Sequence, residues 1–228
     1  ILGRLAWYRR TGADLKKAID YFDQAIQLDP NYAQAYAGKA DCYVLLPSYA
    51  RAFPKDTSPK VRKAALQALQ RDPTLGEAHI ALAEVNFWLD WDFPGAESAY
   101  GRGLELKPTY PTGRHWYGNF LGYMGRHDAA IAELRQAKQL DPESLIIQCD
   151  VAWAYAISQR YDEAAAECRV ALAKDHNFPV ARESLGWVLA LQHKYGEAIA
   201  ELETGYQLDP DRPHLQAYLG YAYGSAGK

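Results

Sequence analysis

The chain has 228 residues, 25 basic and 28 acidic side chains, a formal net charge of −3, and a composition that is 49% hydrophobic and 13% aromatic. That balance excludes the concentrated basic face of a nucleic-acid binder, and no apolar run reaches the ~18 residues that cross a bilayer, so neither nucleic acid nor membrane insertion is expected of this region. Three dispersed cysteines, Cys42, Cys149 and Cys168, lack the spacing of a disulfide framework or a zinc site and point to a reduced, cytoplasmic compartment, or the periplasm if the parent is a membrane-anchored regulator.

In chain order, Ile1 to Arg10 read as the inside of a helix, and a second helix runs to the tag Asp29-Pro30. The next stretch, 33–75, is longer and ends at Asp72-Pro73; its segment 47–59 holds Pro47, Pro54 and Pro59 and reads as an inserted loop, with Ser58-Pro59 opening a helix from about Lys60. Loops accept length at small entropic cost, so a surface insertion is the plain reading. Tyr49 and Phe53, apolar residues that a solvated loop does not need, give the alternative of a docking loop. Residues 76–110 end at Lys107-Pro108 and contain Phe87, Trp88, Trp91 and Phe93, which read as packing a hairpin turn, with peptide binding as the alternative. Stretches 111–144, 145–178 and 179–212 close at Asp141-Pro142, Asp175-His176 and Asp209-Pro210, and 213–228 reads as a truncated final unit. Successive tags lie 43, 35, 34, 34 and 34 residues apart. A fixed period in this range predicts a single array of helical hairpins over 1–228, an architecture that holds partners rather than performing chemistry.

A finer regularity sits inside the period. Twelve residues before the second residue of each tag stand Ala18, Val61, Ala96, Ala130, Ala164 and Ala198. Eight before stand Phe22, Ala65, Tyr100, Leu134, Cys168 and Leu202, and five before stand Ala25, Ala68, Gly103, Ala137, Ala171 and Gly205. Spacings of four and three put all three on one helical face. The preceding helix has its own small position at Ala6, Ala40, Ala83, Gly118, Ala152, Gly186 and Gly220. Two antiparallel helices per unit follow, each second helix except the one ending at Asp175-His176 stopped by a proline that cannot continue it.

Leu185-Gly186, Tyr195, Ala198, Leu202 and Pro210, and likewise Trp116-Tyr117-Gly118, Ala130, Leu134, Ala137 and Pro142, resemble the hallmark positions of the tetratricopeptide repeat family. The resemblance covers nearly the whole chain. It implies an all-α fold, a right-handed α-solenoid of six and a half antiparallel helix pairs, and a non-catalytic interaction scaffold. Residues 9–19 and 33–41, with the long second unit, also resemble the C-terminal repeat regions of bacterial signalling proteins. Those carry a winged-helix, nucleotide-cyclase or Ser/Thr-kinase head. Both ends read as cut, so a fragment of such a protein is expected.

In that family the residue after each small first-helix position tends to face a concave groove. Here that row is Trp7, Asp41, Glu84, Asn119, Trp153, Trp187 and Tyr221, joined by His115 and Cys149 four residues earlier and Tyr123 four later on their helices. The resemblance thus implies a peptide or protein partner held by Trp7, Asp41, Glu84, His115, Asn119, Tyr123, Trp153, Trp187 and Tyr221. Large rings are the residue types that dominate interface energies. His115 and Asn119 match two places of a carboxylate clamp, but its Lys is absent and Asp150 stands where an Asn belongs, which argues against a chaperone-tail ligand. No catalytic residue, metal site or cofactor is expected. The six histidines show no His-x-x-x-His pairing. The alternatives are a self-association module, copies stacking through the open final helix, and the regulatory region of an enzyme whose catalytic domain lies outside the chain.

Overall fold

A computed structural model describes residues 1–227; Lys228, the last residue of the expected final unit, lies outside them. The described residues form thirteen α-helices and no strand. In order they are α1 (Leu2–Tyr8), α2 (Gly12–Leu28), α3 (Ala33–Ala50), α4 (Pro54–Arg71), α5 (Gly76–Trp88), α6 (Phe93–Leu106), α7 (Pro111–Tyr123), α8 (His127–Leu140), α9 (Leu145–Ile157), α10 (Tyr161–Lys174), α11 (Pro179–Leu191), α12 (Tyr195–Leu208) and α13 (Pro213–Ser225). The fold is an all-α solenoid of helix pairs. It divides into two compact units, Ile1–Trp116 and Tyr117–Lys228.

The tags stop helices by a common device. At Asp29 and Asp72 the backbone leaves the helix for extended φ values of −137° and −140°, while the residue's N–H still bonds back to Ala25 and Ala68. The aspartate Oδ1 then accepts the N–H two residues on, from Asn31, Thr74 and, in the proline-less tag, Asn177, each at 2.9 Å. Short acidic side chains favour such turns over continued helix. The freed carbonyl of the tag's second residue is also taken. Tyr36, Arg114, Arg182 and Gln216, each six residues further along, donate to Pro30, Pro108, His176 and Pro210.

The small positions carry the packing. Ala18, Ala96, Ala130, Ala164 and Ala198 are fully buried, as are Ala40, Ala83 and Ala152. In unit 1, first helices touch first helices, α1 on α3 and α3 on α5. In unit 2, α9 lies on α11 and α11 on α13. Within each unit the second helices do not touch one another among the described residues. The first helices thus form the inner layer of each unit. Burying a Leu134 or Leu202 side chain beside them contributes roughly 1.5–3 kcal/mol.

The inserted loop expected over 47–59 is mostly helix. α3 continues through Pro47 to Ala50, α4 opens at Pro54, and only residues 51–53 connect them. Pro54 falls at the first helical position, where its missing N–H costs nothing. Pro47 lies in the last turn, so it removes one bond without interrupting a helix that has to go on. The additional turn of α3 is packed: a Cβ on Gly12 would stand 2.6 Å from the Tyr49 carbonyl oxygen, so only glycine lets α2 start there.

Candidate functional site: the inner faces of the first helices

In unit 1 the inner positions are closed. Trp7 is 1% exposed and Asp41 0%, and Glu84 and His115 are also buried. Neighbouring first helices lie close enough to cover them. Arg4 pairs with Asp41 at 2.6 Å and spreads over the Trp7 ring, with Arg10 on that ring as well at 4.1 Å. Tyr110 donates its hydroxyl to the same Asp41 oxygen at 3.2 Å. Burial pushes the Asp41 carboxyl up, against the pull of Arg4. Glu84 accepts from the Tyr100 hydroxyl and, at 3.1 Å, from the Trp88 indole. Burial raises it to about 7, opposed by those two donors. Glu77 is tied to Lys107. This interior is a polar lattice that fixes α3, α5 and the start of α7 to one another.

Unit 2 is open where unit 1 is closed. Tyr123 is 55% and Tyr221 49% exposed, and Trp153 and Trp187 are half-buried. Trp153 lies across α7: a Cβ on Gly122 would meet its ring, so glycine lets the indole rest on the helix backbone. Tyr123 packs on it at 5.1 Å with planes at 45°. Trp187 stacks on Tyr218 at 5.9 Å and 20°. Both separations are those of favourable aromatic pairs. The Tyr218 phenol is pushed up by burial and then by the charges of Glu183 and Tyr123, which places two distant tyrosines in one electrostatic neighbourhood.

Polar groups hold this face in shape. The Asn119 amide donates to Asp150 at 3.0 Å. Glu183 receives Arg212 at 2.7 Å and faces His214 at 3.5 Å. Cys149, on the same row, is buried in a small cluster with Ala171 and Ala181. Burial drives its thiol well above the ordinary value, and it drives Cys168 to about 12, so neither is a ready nucleophile. The sequence reading missed Tyr218, which sits three residues before the expected Tyr221. The i−3 spacing from Tyr221 and its own aromatic character were the available signal.

Among the described residues no group of three His, Cys, Asp or Glu gathers in metal-binding geometry, and no helix is long and apolar enough to cross a membrane.

Comparison with known proteins agrees with this architecture. The fold is similar to a chain of the APC/C hetero-tetramer Cut9–Hcn1, with a TM-score of 0.71, 16% identity, and 91% of this chain and 39% of that one covered. It is similar to yeast Tom70, with a TM-score of 0.67, 18% identity, and coverages of 92% and 43%. It is also similar to YrrB, a repeat protein described as having an unusual peptide-binding site, with a TM-score of 0.55, 17% identity, and coverages of 86% and 96%. The chain spans about two fifths of the length of the first two. No curated protein sequence matches it. The family model for the tetratricopeptide repeat matches residues 4–55 and 118–179, half of the chain. With that match, the 34-residue period and the buried small positions in every hairpin, the chain belongs to the tetratricopeptide repeat family.

Proposed function

We propose that the chain is a non-catalytic scaffold that binds a peptide or partner protein on the inner face of unit 2. The observation that carries this reading is the convergence of two half-exposed ring pairs, Tyr123–Trp153 and Trp187–Tyr218, on first helices. Flat rigid rings lose little entropy on binding and give large contact area, the character of interface anchors. The described peptide-binding site of YrrB, a protein of similar fold, supports the same class of ligand. Closed packing in unit 1 assigns Trp7, Asp41, Glu84 and His115 to framework rather than contact in this reading. The resemblance of residues 9–19 and 33–41, with the long second unit, to signalling proteins supports a recruiting role within a larger protein.

The test is capture of partners from a lysate of the source organism with the wild-type chain and with Trp153→Ala/Trp187→Ala. A partner held by wild type and lost by a variant of near-wild-type helicity is the expected result. Equal retention by both would remove the ring pairs as the binding element.

A further inference from the structure

The edge of unit 1 at which its hairpins turn carries exposed rings. The turns 9–11, 51–53 and 89–92 lie at one edge, because the helices they join are antiparallel and stacked in order. The contact of Gly12 with Tyr49 and Ala50 brings the first two turns together. At this edge Phe53 is 67%, Trp88 51% and Trp91 73% exposed. Trp91 holds a left-handed φ of +55°, which a bulky residue rarely adopts; the next hairpin has Gly125 there, at +74°. The rings Trp88, Phe87, Phe93 and Trp91 follow one another at 4.5, 6.0 and 6.1 Å. The outer two therefore stand on the buried Phe87 and the partly buried Phe93. The Trp88 indole N–H is engaged by Glu84, so the ring offers its apolar surface.

Charge accompanies the rings. The first halves of α2 and α4, which start at this edge, expose Lys16, Lys17, Lys55, Lys60 and Lys63 against Asp20 and Asp56. The two aspartates beside Trp91 are engaged: Asp90 pairs with Arg62, and Asp92 accepts the Gly95 N–H at 3.0 Å. The acidic tags Asp29 and Asp72 lie at the opposite edge.

We propose that this edge docks on an anionic lipid surface, with Phe53, Trp88 and Trp91 at headgroup level and the lysines over the negative charge, without any helix crossing the bilayer. Tryptophan suits that interface, apolar on one side and wet on the other. Lysines near anionic lipid add attraction that falls off within a Debye length. Rings and lysines are spread over three successive hairpins, a breadth that matches a flat surface better than a single pocket.

The experiment is cosedimentation of the whole chain with vesicles of phosphatidylcholine containing about 30% phosphatidylglycerol, and with vesicles of phosphatidylcholine alone. Binding to the first and not the second is expected. Trp91→Gly with Phe53→Ser should weaken it about tenfold, and Lys55→Glu with Lys60→Glu about as much. Trp91→Gly relieves a strained backbone, so its thermal midpoint should hold or rise, which separates lost docking from lost fold. No binding to anionic vesicles would overturn the proposal. So would loss in the lysine variant alone, which would mean loose electrostatic adsorption. A dimer in sedimentation that the ring variant abolishes would also overturn it, by giving the edge to a second copy of the chain.

Discussion

Gln159 sits in the turn between α9 and α10 with φ at +61°, and His193 repeats the same value in the next hairpin. Gly125 occupies the equivalent position in the hairpin before them, at +74°. Each of the six hairpin turns among the described residues holds one left-handed residue, and only at Gly125 is it a glycine. A side chain with a Cβ is strained there by contact with the following carbonyl oxygen. Gln159 is exposed, and its backbone N–H bonds Ala156, a contact that any residue keeps. Gln159→Gly should raise stability by roughly 0.5–1 kcal/mol, the relief of strain exceeding the added freedom of the unfolded chain. Urea unfolding checks this; a fall in midpoint would mean that the turn tolerates glutamine without strain. His193 is the poorer choice for the experiment, because its ring also meets the Tyr195 hydroxyl at 2.8 Å.

At the scale of helices, the hairpins of unit 2 trade size across the contact between their two members. Where the second helix brings Leu134 or Leu202, the first helix has Gly118 or Gly186 opposite; where it brings Cys168, the first helix has Ala152. A Cβ on Gly118 would stand 2.7 Å from Leu134 Cγ, and one on Gly186 would overlap Leu202. Gly186→Ala should therefore destabilise by roughly 1–3 kcal/mol through overpacking. Adding Leu202→Cys recreates the alanine–cysteine pair of the preceding hairpin and should recover part of that loss; a double variant no better than the single would show that the hairpins are not interchangeable at this contact. Both positions were legible in the sequence, because they recur at fixed offsets from the tags; which of them face each other was not. The course of residues 47–59 was not. Three prolines read as breakers, yet Pro54 falls at a helix start, where a missing N–H costs nothing, and Pro47 in a last turn, where it removes a single bond. Offsets likewise found the inner rows but not their exposure: the same row is closed at Trp7 and Asp41 and half-open at Trp153 and Trp187. Long side chains outside the repeat pattern cover the closed positions: Arg4 lies over Trp7 and, with Tyr110, reaches Asp41.

Over the whole molecule, acids buried on the inner faces mostly sit beside a cation: Asp41 beside Arg4, Glu77 beside Lys107, and Glu183 beside Arg212. Glu84 has hydrogen-bond donors, Tyr100 and Trp88, and the nearby charge that acts on it is the like charge of Asp41. Its carboxyl is raised by burial from 4.5 to about 7. The native state therefore keeps this proton up to about neutral pH, while the unfolded chain releases it near 4.5. Between those values the unfolded state binds fewer protons, so stability falls as pH rises, by as much as about 3 kcal/mol. Above about 7 the native state carries the buried charge and the loss levels off. Glu84→Gln removes this titration and keeps both neighbours hydrogen-bonded, since the amide oxygen can accept the indole N–H while the amide N–H donates to the Tyr100 oxygen, which turns from donor to acceptor. Asp41, also raised by burial, pulls stability in the same direction and persists in the variant. Urea midpoints taken at pH 5 and pH 8 should therefore drop more for the wild type than for Glu84→Gln, by roughly 2 kcal/mol in unfolding free energy. Parallel drops in the two proteins would mean that Glu84 ionises in the native state as freely as in the unfolded chain, and that the Tyr100 and Trp88 bonds hold a carboxylate at no cost.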